Sequence, residues 1–141
     1  MNIEERKKLV ARLLFASQQT AMEEAEQIKK QPQPTRDFLY KHLRNYVLAK
    51  YLLPKDCQED HIKELAVLSL ARTMKLDKDV IRNLDQATPC DHATSESTKK
   101  VLLLYAVQTD LGLKPAAEKL AKVETLTELT EYVYDSLKNK N

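Results

Sequence analysis

At 141 residues the chain is long enough to bury a core, and its length fits one domain or one domain with an extension. A single Gly, no Trp and abundant Leu, Ala, Lys and Glu point to an almost wholly helical protein. A net charge of +2 demands neither nucleic acid nor a membrane, two cysteines are too few for a secreted disulfide scaffold, and one glycine excludes Walker loops and dinucleotide fingerprints.

No apolar run approaches the ~20 residues of a membrane span. Leu13-Leu14-Phe15 sits in an amphipathic segment and not in the continuous apolar core of a signal peptide, so the expected setting is cytoplasmic. Charge is spread unevenly. Residues 1–53 carry ten Lys/Arg against six Asp/Glu (+4), and residues 54–141 carry thirteen against fifteen (−2).

From Ile3 to about Lys30, Ile3, Val10, Leu13, Leu14, Ala21, Ala25 and Ile28 recur at helical intervals with Ser17 on the same stripe, which predicts one long amphipathic helix. Its second half, poorer in apolar residues, is the part expected to project or fray. The helix is also long enough to pair with itself or fold back. Gln31-Pro32-Gln33-Pro34 interrupts it as a hinge, because two prolines remove donors and push the residues before them out of the helical region. Thr35 is placed to cap a second helix, with Asp37 favouring its dipole and Phe38, Leu39, Leu43, Tyr46, Val47, Tyr51 and Leu52 on its stripe before Pro54. Its aromatics and interleaved Arg and Lys have the types needed to stack on bases. At these spacings packing against a neighbouring helix is the stronger reading.

Asp56-Cys57-Gln58-Glu59 has the spacing of a helix cap, so a third helix is expected from about Gln58 to Met74, with a short turn restarting at Asp77 and a loop over residues 85–95. A helix should open near Ser97 and close at Gly112, with Leu113 folding back on its apolar face. Pro115 suits the first turn of a short helix over residues 114–122. Thr125 and Glu128 have capping-box spacing for a last helix.

The stretch from Ser97 onward resembles the second half of an acyl carrier protein. Ser97 stands fourteen residues before Leu111, as the attachment serine of that family stands before the residue preceding its next loop. Lys122-Val123-Glu124-Thr125-Leu126 is similar to the family's Lys-Ile-Thr-Thr-Val, and Glu131-Tyr132-Val133 to its Asp-Tyr-Ile. The likeness covers about residues 62–137. It implies an all-α protein in which a two-helix N-terminal extension (residues 1–54) precedes an acyl-carrier-like four-helix bundle (residues 55–141). It implies further that Ser97 carries 4'-phosphopantetheine, holding an acyl or peptidyl substrate as a thioester for transferase or synthase-like partners. The chain itself would then do no catalysis. The triplet here is Glu96-Ser97-Thr98 where the family has Asp-Ser-Leu, and Lys99 and Lys100 make basic an opening turn that the family keeps acidic.

Two other readings stand beside this one. In the first, the carrier-like fold lacks a prosthetic group and is a protein-interaction module, with Lys99, Lys100 and Leu102 as candidate partner-binding residues. In the second, all helices share one bundle, and Ser95 or Ser97 is simply a helix cap. Cys90-Asp91-His92 places a thiol beside an imidazole, but neighbours in a loop do not generally face one another and no oxyanion-hole glycine follows. Cys57, Cys90, His42, His61 and His92 show no metal-ligand spacing.

Overall fold

The computed structural model describes residues 2–76 and 92–138, and these are all-helical. The helices are α1 (Ile3–Lys30), α2 (Arg36–Lys50), α3 (Ile62–Leu76), α4 (His92–Asp110), α5 (Ala117–Ala121) and α6 (Leu126–Lys138). The expected short turn from Asp77 and most of the expected loop before Ser95 lie outside the described residues.

Local capping chemistry accounts for several helix ends. The Thr35 hydroxyl accepts from the Phe38 N–H at 3.1 Å, opening α2. Thr125 accepts from the Glu128 N–H at 3.0 Å, while the Glu128 carboxylate accepts from the Thr125 hydroxyl and the Glu124 N–H, opening α6. Gly112 adopts a left-handed φ of 66°. Its N–H reaches Thr109 O and the Leu113 N–H reaches Gln108 O at 2.9 Å, a Schellman closure of α4 that folds Leu113 into the core.

The end of α2 repeats this closure on a leucine. Leu52 has φ 58°, with Leu52 N–H bonded to Ala49 O and Leu53 N–H to Leu48 O. A leucine in this region costs roughly 1 kcal/mol or more, so Leu52 ends the helix instead of extending its apolar stripe.

Three boundaries differ from the sequence expectation. The Asp56–Glu59 cap does not form: residues 56–61 are non-helical and α3 begins at Ile62. The Ile62 N–H donates instead to Glu124 O at 2.9 Å, and the Leu126 N–H donates to Asp60 O at 2.8 Å, around a His61–Thr125 bridge. The starts of α3 and α6 thus satisfy each other's orphan donors, a long-range solution that outcompetes the local cap. Secondly, α4 opens at His92, five residues ahead of Ser97, since no Pro or Gly intervenes to stop it. Thirdly, Pro115 precedes α5, whose first helical residue is Ala117.

A single core joins the six described helices. It runs from Ala21, Ala25 and Ile28 through Leu39, Leu43, Tyr46 and Val47 to Ile62, Leu65, Leu103, Val107, Leu120, Leu126, Leu129 and Val133. α2 packs against both α1 and α6, and α3 packs against α4. The expectation for α1 is reversed. Its second half is buried, and the apolar first half projects, with Ile3 58%, Leu14 51% and Phe15 67% exposed. Small residues explain the inversion, because Ser17, Ala21 and Ala25 let α2 approach closely, and α2 ends opposite Ser17, whose hydroxyl donates to Ala49 O.

Candidate functional site

α4 positions every residue singled out near the carrier-like segment. Its inner face is set by Leu103, Leu104, Val107 and Leu111, all in the core. Its outer face, at the same helical spacing, is Ser97, Thr98, Val101, Leu102, Tyr105 and Thr109, all exposed. That outer face has no charged side chain. Val101, Leu102 and Tyr105 are each more than 60% exposed. A helix apolar on both sides is ordinarily covered on both sides. Continuous apolar sequence from Val101 to Val107 was the signal for this, legible without any structure.

Ser97 lies in the second turn of α4 with its side chain exposed. It is not at the helix terminus, so free backbone N–H groups do not surround it.

Lys99 turns inward. Its ammonium lies 5.2 Å from the centre of the Tyr51 ring and 3.2 Å from the Ser69 hydroxyl, to which it donates. The Ser69 hydroxyl in turn donates to Tyr51 O at 2.8 Å. Burial pushes the Lys99 ammonium below its ordinary value. Of the three candidate partner-binding residues, Lys99 is therefore engaged within the fold, Lys100 is half-buried and Leu102 faces outward. The spacing Lys99, Leu103, Val107 already put this lysine on the buried stripe.

Polar groups elsewhere serve the fold. The Asp60 carboxylate accepts from the Tyr40 hydroxyl at 2.9 Å and from the Thr127 hydroxyl at 2.9 Å, clamping α2 to the paired helix starts. The Tyr46 hydroxyl donates to Asp110 at 2.6 Å, with Lys50 at 3.9 Å from the same carboxylate. His42 Nδ1 meets Glu24 at 2.5 Å between α1 and α2. The aromatics of α2 are thus packing residues: Tyr46 and Tyr51 are buried and Phe38 is half-buried. Cys57 is half-buried, and its carbonyl accepts from Arg44. Cys90 and Asp91 lie outside the described residues. Among the described residues no three His, Cys, Asp or Glu side chains gather to hold a metal, and no helix is long and apolar enough to cross a membrane.

An open groove of about 880 Å³ runs beneath the α1–α2 hinge, lined by Pro32, Pro34, Arg36, Leu111, Tyr134 and Leu137. Its central cation is already used. Arg36 Nε donates to Glu131 at 2.7 Å, and the guanidinium stacks 4.3 Å from the Tyr134 ring centre.

Burial drives two phenols well above their ordinary value of 10.0, Tyr46 with help from the Asp110 carboxylate and Tyr51 by burial alone. Both are protonated in the folded and unfolded chain below about pH 10, where they cost nothing. Above it the unfolded chain sheds protons that the fold retains, so stability falls as pH rises. In an alkaline titration, at least two of the six tyrosines are expected to ionise only when helical circular dichroism is lost. Six phenolates appearing by ultraviolet absorbance with the helices intact would contradict this burial.

No protein-family model matches the chain, and the comparisons with curated proteins and with solved structures found no match to it.

Proposed function

We propose that this chain is a non-catalytic helical module that docks an amphipathic helix of another protein on the outer face of α4. The observation that carries the reading is the uncharged face containing Val101, Leu102 and Tyr105, each more than 60% exposed in a chain with 31% charged residues. An apolar helix face of this kind is recognised by a partner that places its own apolar side chains at helical spacing, excluding water from both. Tyr105 is suited to anchor it, since it supplies large contact area at low entropic cost.

The test is selection from a displayed library of amphipathic helical peptides against the whole chain. Peptides that bind and lose about tenfold or more in affinity on Leu102→Glu support the reading. Peptides indifferent to Leu102→Glu and Tyr105→Glu reject it.

One observation favours a second reading, a carrier with 4'-phosphopantetheine on Ser97: the serine is exposed on that same face. A carrier also needs a docking surface around its attachment point, and Val101 and Leu102 lie one turn away. Intact mass after incubation with coenzyme A and a broad-specificity phosphopantetheinyl transferase separates the two. A gain of one phosphopantetheine, absent in Ser97→Ala, makes the chain a carrier, and the cargo becomes the question. An unchanged mass beside a modified control carrier leaves the docking module.

A further inference from the structure

We propose that the projecting half of α1 pairs antiparallel with the same segment of a second copy, making the protein a homodimer. Ile3, Val10, Leu14, Ser17, Ala21 and Ile28 fall at intervals of three, four and seven residues, so they share one side of the helix. From Ser17 to Ile28 that side is covered by α2, which runs antiparallel to it: Ser17 meets Ala49 and Glu24 meets His42. α2 stops at Lys50, while α1 continues for more than three turns with Val10 half-buried and Ile3 and Leu14 exposed. The seam is therefore continuous, and among the described residues no helix packs on it over residues 3–14.

A second copy supplies that helix in the direction the seam requires. Laid antiparallel about its midpoint, α1 puts Ile3 against Leu14 of its partner and Val10 near the partner's centre, and the contact is self-complementary, as a two-fold interface must be. In this placement the incoming α1 lies end to end with the partner's α2, continuing its line along the same face. The N-terminal end of one helix then meets the C-terminal end of the other, which aligns their dipoles head to tail. Lys7 falls on the seam between Ile3 and Val10, and Glu4 of its own helix, 4.0 Å away, offsets the like charge a symmetric contact brings together. The patch is short, so the dimer should dissociate at roughly micromolar concentrations.

Sedimentation of the whole chain over a wide concentration range provides the test, with the double variant Val10→Asp/Leu14→Asp alongside. The wild type should move from monomer to dimer, and the variant should associate at least about tenfold more weakly, with unchanged helical circular dichroism, because each substitution enters the interface twice. Disulfide trapping should join Ile3→Cys in one copy to Leu14→Cys in another, both in a background with Cys57→Ser and Cys90→Ser. A monomer at every concentration overturns the proposal, as does a dimer that the double variant leaves intact. A monomeric chain that sediments with anionic phospholipid vesicles, and loses them in the double variant, assigns the same face to a lipid surface and also overturns it.

Discussion

Leu39→Ala is expected to lower the free energy of unfolding by about 2–5 kcal/mol, the range for a leucine truncated in a packed core. Leu39 is fully buried in α2, the helix that packs on both α1 and α6. Truncation removes apolar contacts between the N-terminal helices and the last one and leaves a void that neighbours fill only in part. In urea the unfolding midpoint should fall with little change in slope. Leu102→Ala, at a side chain 61% exposed, should cost within about 0.5 kcal/mol in parallel. If the two variants unfold at the same midpoint, α2 is not the centre of a shared core.

The second large effect is Ala25→Asp. Ala25 is fully buried where α1 meets α2, and the basic groups near it, His42 and Lys29, are already paired with Glu24 and Glu26. A new aspartate there is an unpaired charge in a closed interface, with an expected cost of about 3–5 kcal/mol. Ala11→Asp makes the same change in the same helix at an exposed position, where only helix propensity is lost, about 0.7 kcal/mol. The pair isolates burial from propensity. Equal melting temperatures would show that the second half of α1 is not the buried half.

Where sequence reading succeeded, the controlling interactions span three to five residues. Thr35 with Phe38, Thr125 with Glu128, and Gly112 with Leu113 each close a loop of hydrogen bonds within one turn, so residue type and spacing are sufficient. It failed where a distant partner intervened. Asp56 to Glu59 carried a local cap signal, but residues 60–62 bond to residues 124–126, and no pattern within residues 56–62 discloses that pairing. Lys99 reads as a candidate partner-binding residue on a basic opening turn, since lysines are mostly exposed. Its place on the Leu103–Val107 stripe was visible, yet only the Tyr51 ring and the Ser69 hydroxyl make that position tolerable for an ammonium.

The α1 inversion has the same origin. A stripe's apolar richness measures how much burial rewards a helix, and says nothing of where a covering helix begins and ends. The hinge and the fifteen-residue length of α2 decide that, and they direct cover to the small-residue half. The amino-acid sequence by itself thus determined an all-helical chain, its caps and closures and the two-sided apolarity of α4, because these are local or periodic properties of the residues. Tertiary structure alone decided which half of α1 is covered, that one core runs through the six described helices, and how α3 begins. Each of these depends on contacts between residues far apart in the chain, and the free energy of such contacts is not written in any one segment.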